Sequence, residues 1–126
     1  MTEWVTVCKV TDILPGTGLC ALAEGHQIAL FRPRDNAQVY AISNIDPFFQ
    51  ASVLSRGIIA EHQGELWVAS PLKKQHFRLH DGLCMEDNSY SVNSYSVRVA
   101  EGEVLVSPLP VSSGCLSPEI PSGDGD

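Results

Sequence analysis

The chain has 126 residues and a mass of 13.7 kDa, which suffices for one domain with its own core but not for two. Hydrophobic residues make up 44% and charged residues 18%, a balance typical of folded globular proteins, which excludes fibrous and wholly disordered chains. Eight basic residues against fifteen acidic ones give a net charge of -7. Because binding to a phosphate backbone requires the opposite charge, we expect no nucleic-acid partner.

No apolar run reaches the roughly 20 residues that a membrane span needs, and the first residues lack the pattern of a signal peptide. We therefore expect no membrane association and a cytoplasmic location. The four cysteines stand singly, without a C-x-x-C pair, so reduced thiols are expected. The histidines lack metal-ligand spacing, and His76 and His80 would lie about 13 Å apart on one face of a strand, too far for one metal ion.

Short strands separated by turns predict an all-β antiparallel sandwich or barrel. The predicted strands, in chain order, are 4–9, 19–23, 27–32, 39–43, 57–62, 65–70, 94–99 and 103–106. Gln63-Gly64 predicts a hairpin turn between two of them, because glycine accepts a positive φ. Only residues 47–54, with an early proline and spaced apolar side chains, suggest a helical turn.

The composition changes after Val106. Residues 107–126 contain half of the eight prolines, together with serine, glycine and acidic residues but no basic residue. This composition is typical of disorder, so we expect a folded domain over 1–106 and a disordered C-terminal tail over 107–126. A solvated terminus is the simplest interpretation of the tail, and an interaction segment is the alternative.

Two loops that each follow a predicted strand, residues 44–49 and 70–77, contain Asp46-Pro47-Phe48 and Ser70-Pro71-Leu72-Lys73. They resemble the C-P-H and C-P-x-H loops of the Rieske iron-sulfur domain, and the stretch from Phe77 to Cys84 resembles the F-x-L-x-x-G-x-C pattern that follows them. The resemblance implies a Rieske-like fold. It places four residues of this chain at the cluster-ligand positions, namely Asp46, Phe48, Ser70 and Lys73.

A Rieske cluster is held by two thiolates and two imidazoles, and these four residues cannot supply that set. Phe48 has no donor atom, and Lys73 carries a positive charge where a neutral imidazole is required. We therefore expect a Rieske-type scaffold with no metal or cofactor on this chain.

A narrower resemblance extends from Trp4 to about Val106. The most telling stretches resemble the small subunit of the cytoplasmic NAD(P)H-dependent assimilatory nitrite reductase, and they are 12–15, 41–48, 55–57, 61–74 and 81–87. The resemblance implies an accessory subunit that is required for activity of the complex. It also implies a partner large subunit that holds FAD, an iron-sulfur centre and sirohaem and reduces nitrite to ammonium.

We expect no catalytic residue on this chain, because no group of residues supplies a nucleophile, a base and an orienting partner in recognisable spacing. Three other functions are left open by the sequence. They are a Rieske-type electron-transfer protein, a non-catalytic interaction module for another cytoplasmic partner, and an oxygenase component. The first conflicts with the substituted ligand positions, and the last needs a site of two histidines and a carboxylate that no spacing indicates.

The same two loops supply the candidate docking surface for the large subunit. Phe48 and Phe49 are interpreted as core filler, with an exposed aromatic anchor for the partner as the alternative. Lys73 and Lys74, with Arg78, form the most basic stretch of an acidic chain. This stretch is interpreted either as solvated surface or as a docking patch for an acidic surface of the large subunit.

The charged residues of the two loops also allow a contact between them. A salt bridge from Asp46 to Lys73 across the loops is one hypothesis, and two independent surface charges are the other. Cys84 is expected to pack as a small apolar side chain, and His62 to lie exposed beside the hairpin turn.

Overall fold

The structure is a computed structural model of the chain and describes residues 4–72 and 74–113, with the side chains of 110–113 excepted. The described part consists of antiparallel strands and three single-turn 3-10 helices, at Val10–Asp12, Leu54–Arg56 and Asn88–Tyr90. The strands are β1 (Val5–Lys9), β2 (Thr17–Ala23), β3 (His26–Arg32), β4 (Tyr40–Ser43), β5 (Ile45–Asp46), β6 (Ala51–Ser52), β7 (Ile58–His62), β8 (Glu65–Ala69), β9 (His76–Arg78), β10 (Asn93–Ala100) and β11 (Glu103–Ser113). None of these helices is long and apolar enough to cross a membrane.

The largest sheet has six strands in the order β1-β11-β10-β4-β3-β2. Its strand β3 is buried on both faces, because successive side chains of a strand point to opposite sides. Ile28 and Leu30 enter a core inside the large sheet, whereas Ala29 and Phe31 enter a second core. The all-β antiparallel prediction is confirmed.

A smaller sheet, in the order β7-β8-β9, packs against the large one through this second core. Val68 of β8 and Phe77 of β9 are fully buried there, beside Phe31. The hairpin of β7 and β8 turns at Gln63 and Gly64, both with positive φ (53° and 80°), as predicted. Strands β5 and β6 form a two-stranded ribbon that precedes the smaller sheet in the chain. The loop that begins at Asp46 connects these two strands.

Residues 47–54 differ from the helical turn predicted for them. One turn does form, since the Gln50 N–H donates to the Asp46 carbonyl at 2.7 Å. The turn stops at once, because Gln50 takes a φ of +54°, which reverses the chain into β6. A 3-10 helix then follows only at Leu54–Arg56.

The last strand is longer than predicted. We expected it to end at Val106, but β11 continues to Ser113. Up to Val106 the strand pairs with both β1 and β10, and beyond it the pairing continues with β10 alone, through two irregularities in register. Proline is tolerated at a sheet edge and at bulges, which is why the composition of this segment misled the prediction. Residues 114–126 of the predicted tail lie outside the described residues.

Candidate functional site at two paired loops

The first loop, residues 46–50, is organised around the side chain and carbonyl of Asp46. The Phe48 N–H donates to Asp46 Oδ1 at 2.8 Å, and the Gln50 N–H donates to the Asp46 carbonyl. Both bonds curl the chain back over the first residue of the loop. Asp46 is completely buried by this arrangement.

The second loop, residues 70–75, repeats the arrangement around Ser70. The Leu72 N–H donates to Ser70 Oγ at 3.3 Å, and the Lys74 N–H donates to the Ser70 carbonyl at 3.0 Å. Lys74 takes a positive φ of +64°, and Gln50, at the equivalent place in the first loop, takes a positive φ of +54°. The two loops are therefore alike in backbone design, although their sequences differ.

The two loops are joined by a direct hydrogen bond between their first residues. Ser70 Oγ donates to Asp46 Oδ2 at 2.5 Å, and Ser70 is 1% exposed. Every side-chain oxygen of the pair thus has a partner, as buried polar groups require. The contact joins residues 24 positions apart in the chain and holds the smaller sheet to the β5–β6 ribbon.

These residues do not fit a [2Fe-2S] cluster. The sequence resemblance assigns Asp46 and Ser70 to the positions of the two thiolates, and in the structure these two side chains bond to each other. Phe48, at an imidazole position, offers a ring without a donor atom. The donor set of a Rieske centre is two cysteines and two histidines, so these loops lack its chemistry.

Phe48 is packed rather than exposed, as expected. Its ring stacks on Tyr90 with a centroid distance of 4.3 Å and an interplanar angle of 20°, and it tilts against Phe77 at 6.4 Å. It packs on the second core, so it closes the side of the first loop. Phe49, which we expected to pack in the same way, is instead 44% exposed, in keeping with the alternative interpretation.

The described residues of the basic stretch, Lys74 and Arg78, have different surroundings. Lys73 lies outside the described residues, and Lys74 is exposed. Arg78 donates from Nε and Nη2 to both carboxylate oxygens of Asp81, at 2.9 and 2.6 Å, and lies 5.6 Å from the centre of the Trp67 ring. The hydrogen bond with Asp81 raises the pKa of the Arg78 guanidinium, against an opposing effect of burial. Its charge is therefore largely balanced within the chain.

The hypothesis of a salt bridge from Asp46 to Lys73 stays a prediction, because Lys73 is not described. The alternative, that Asp46 is an independent surface charge, is wrong, since Asp46 is buried and bonded to Ser70 and to the Phe48 N–H. The sequence analysis singled out this aspartate but did not predict its hydrogen-bond partners.

Two of the histidines pair with carboxylates of the chain, and Cys84 is buried. His76 Nδ1 lies 2.7 Å from Glu86, whereas His80 lies 3.3 Å from Glu65. Cys84 is buried in the second core, as expected, and this burial raises the pKa of its thiol. His62 is exposed, as predicted. In the part of the chain that the structure describes, no three His, Cys, Asp or Glu residues are arranged to hold a metal ion.

The sequence analysis assigned no role to two residues of the site. Asn44 is buried; its Oδ1 accepts the Ser55 N–H at 2.7 Å, which ties the first loop to the 3-10 helix at Leu54–Arg56. Tyr90 supplies the ring on which Phe48 stacks. An asparagine directly after a predicted strand was a usable signal for the first, whereas nothing in the local sequence indicated the second.

A groove beside the second loop was also missed. It encloses about 400 Å³ between the segment that begins at Arg56 and the loop that begins at Ser70. Its apolar wall includes Ile58, and its charged residues are Arg56 and Lys74. In the described part of the chain, the first loop is thus covered by the packing of Phe48, whereas the second loop borders an open groove.

Comparison with known proteins shows which family this domain is similar to. The profile of the family described as "Rieske-like [2Fe-2S] domain" matches residues 3–107. The nitrite reductase (NADH) small subunit of Salmonella typhimurium is 69% identical over 104 residues, which cover 82% of this chain and 96% of that protein. The NMR structure of the E. coli protein NirD superposes with a TM-score of 0.79 at 65% identity, over 84% of this chain and 96% of that one.

A further relative carries the same domain within a larger protein. The nitrite reductase [NAD(P)H] large subunit of Klebsiella oxytoca is 41% identical over 103 residues, which cover 82% of this chain but only 11% of that large subunit. The domain therefore occurs both as a separate chain and as part of a large-subunit chain.

Proposed function

The chain belongs to the Rieske-like [2Fe-2S] domain family, among the nitrite reductase (NADH) small subunits, and on that premise we propose that it is the accessory small subunit of a cytoplasmic NAD(P)H nitrite reductase. Its partner is the large subunit, which reduces nitrite to ammonium. The observation that carries this proposal is the 69% identity that extends over nearly the whole Salmonella small subunit. The occurrence of the same domain inside a Klebsiella large subunit supports a close contact between the two subunits.

The second part of the proposal is that the chain binds no iron-sulfur cluster and supplies no catalytic group. The hydrogen bond from Ser70 to Asp46 supports it, because the two residues at the thiolate positions satisfy each other. The ring of Phe48, stacked on Tyr90, supports it at a third ligand position. FAD, the iron-sulfur centre and sirohaem then belong to the large subunit, and this chain contributes binding surface.

The experiment that tests the proposal is nitrite-dependent NADH oxidation by the purified large subunit, measured with and without this chain. Iron and acid-labile sulfide are assayed on the chain alone. We expect turnover to depend on the chain and the chain to contain neither iron nor sulfide. A turnover rate unchanged by the chain overturns the accessory role.

The metal assays distinguish the proposed accessory subunit from a Rieske-type electron-transfer protein. Stoichiometric iron and sulfide with visible absorbance would overturn the cluster-free part and favour a Rieske-type electron-transfer protein. The matched control is Leu22→Glu, a change at an exposed side chain on β2, remote in sequence from both loops. It should restore turnover as the unaltered chain does.

A further inference from the structure

The groove beside the second loop, called here the Ile58 groove, has an apolar wall that the described chain leaves open. Its volume is about 400 Å³, at the lower end of what ligand pockets enclose. Ile58 is 74% exposed, as the first residue of the edge strand β7. Gly57, Ala69 and Pro71 continue the wall with small or rigid apolar groups.

The charged residues of this groove are both cations that the described chain does not neutralise. Arg32, Arg34 and Arg78 each pair with a carboxylate of their own chain. Arg56 and Lys74 form no ion pair among residues 4–72 and 74–113. In a chain with a net charge of -7, two unpaired cations beside one groove favour an occupant that brings its own carboxylate.

The groove is also held in shape before anything binds. A side-chain carbon at Gly57 would lie 2.3 Å from the Ala69 carbonyl oxygen, so the two segments are in close contact. On the other side, the backbone at Lys74 is held by the bond from its N–H to the Ser70 carbonyl, and the Ser70 side chain bonds to Asp46. A preformed site loses little conformational freedom on binding, which favours affinity.

We propose that the Ile58 groove is a contact site for the large subunit, and that it receives a segment with an apolar side chain next to a carboxylate. The apolar side chain packs on Ile58 and Pro71, and the carboxylate lies between Arg56 and Lys74. This inference rests on the proposed function, because it names the surface through which that partnership is made. The chemistry of the groove, apolar wall and paired cations, selects this class of segment.

The test is a binding titration of the purified large subunit against the full chain, with the dissociation constant measured for single variants. Ile58→Glu places a charge on the apolar wall, and Arg56→Glu reverses one cation. We expect each to raise the Kd at least tenfold. The matched controls are Leu22→Glu, at a leucine that is 68% exposed, and Arg98→Glu, at an exposed arginine on β10; neither should change the Kd more than about twofold.

Salt gives a second readout that a folding defect would not imitate. Added salt should weaken binding of the unaltered chain, and Arg56→Glu should reduce that dependence, since it removes an attractive charge. Unchanged thermal unfolding midpoints for the variants show that the fold is intact.

The outcomes separate the inference from the proposed function. If the large subunit binds and is stimulated by the chain while Ile58→Glu and Arg56→Glu bind as tightly as the controls, the groove inference is overturned and the proposed function stands. If the unaltered chain neither binds nor stimulates the large subunit, both fail.

Two other occupants are distinguished by the same variants. In a chain ended after Ser113, an effect of Arg56→Glu that persists supports the large subunit as occupant, and an effect that disappears overturns it in favour of residues 114–126. Self-association of the chain alone that Ile58→Glu abolishes overturns it in favour of a second copy.

Discussion

The two paired loops have the same backbone design and opposite surroundings. In each, the first residue accepts an N–H two positions on with its side chain and another N–H four positions on with its carbonyl. The third residue is Phe48 in the first loop, stacked on Tyr90, and Leu72 in the second, 44% exposed. The first loop is thus closed by aromatic packing, while the second leaves the Ile58 groove open.

This difference shows how one loop geometry serves two purposes. In the first loop, Phe48 stacks on Tyr90 of the 3-10 helix at Asn88–Tyr90 and packs against Phe77 of β9. Its ring therefore packs on the second core. The second loop instead lines the Ile58 groove together with Gly57 and Ile58. We therefore expect changes at the first loop to affect stability and changes beside the Ile58 groove to affect binding, except at Gly57, which packs closely on β8.

Gly57→Ala tests that exception and should have the largest effect. The added carbon would lie 2.3 Å from the Ala69 carbonyl oxygen and 2.6 Å from Val68 Cγ2, contacts that the backbone must move to relieve. We expect the free energy of unfolding to fall by about 3 kcal/mol or more, measured by urea denaturation. Gly64→Ala, in the open β7–β8 turn, has no such neighbour and should cost less, about 1 kcal/mol from its positive φ alone. Equal costs would contradict the close contact.

Phe48→Ala and Leu72→Ala compare the third positions directly. Removing Phe48 eliminates the ring contacts with Tyr90 and Phe77, and we expect a loss of about 2–3 kcal/mol, less than for a fully buried phenylalanine. Leu72→Ala should cost less than about 0.5 kcal/mol, because the side chain is 44% exposed. Unfolding midpoints in urea measure both. A Leu72 cost as large as that of Phe48 would show that the second loop is closed as well.

Ser70→Ala breaks the bond that joins the loops. The change leaves Asp46 Oδ2 buried without its donor, so we expect a loss of about 1–2 kcal/mol. A double-mutant cycle with Asp46→Ala isolates the pair, and its coupling energy should be about 1 kcal/mol or more. Ser52→Ala, at an exposed serine on the neighbouring ribbon, is the control and should be neutral. A coupling near zero would separate the two loops energetically.

Asp81→Asn tests the ion pair with Arg78, which lies on β9 shortly after the second loop, through the pH dependence of stability. Burial raises the pKa of Asp81, but hydrogen bonds from Arg78 and the Leu83 N–H and the charge of Arg78 outweigh it, so the pKa is lower than usual. Because the unfolded value is about 3.9, the pair stabilises the fold above that pH, and this contribution is lost as the pH falls through the lower folded value. At pH 7 the variant should lose about 1 kcal/mol.

The expected signature is a difference that disappears in acid. Unfolding of Asp81→Asn and of the unaltered chain, followed in urea from pH 7 to about pH 2, should converge at the acid end. Glu61→Gln is the matched control, since its pair with Arg34 spans 3.6 Å and both side chains are more than half exposed. It should cost less than about 0.5 kcal/mol at any pH. A constant difference for Asp81→Asn would assign its effect to packing instead of charge.

Local chemistry made much of this fold predictable. The hairpin at Gln63-Gly64 follows from the backbone freedom of one glycine between two alternating strands. The place of the two loops followed from Asp46-Pro47 and Ser70-Pro71 and from the family that they resemble. What these loops do to each other was not predictable, because the bond between Ser70 and Asp46 joins residues 24 positions apart.

The misses have the same origin. The extension of β11 to Ser113 depends on pairing with β10 alone, which the proline-rich composition does not reveal. The stack of Phe48 on Tyr90 and the groove at Ile58 depend on how the two sheets approach one another. Sequence patterns of period two predict the strands but not which loops meet.

The bond between Ser70 and Asp46 has one consequence for how the protein comes into being. Both partners are ordinary side chains, so the closure of these two loops requires nothing beyond the polypeptide itself. The same bond joins the end of β8, in the smaller sheet, to the β5–β6 ribbon, so the two loops meet only where these two elements pack together. Unfolding of the smaller sheet would therefore also separate the two loops.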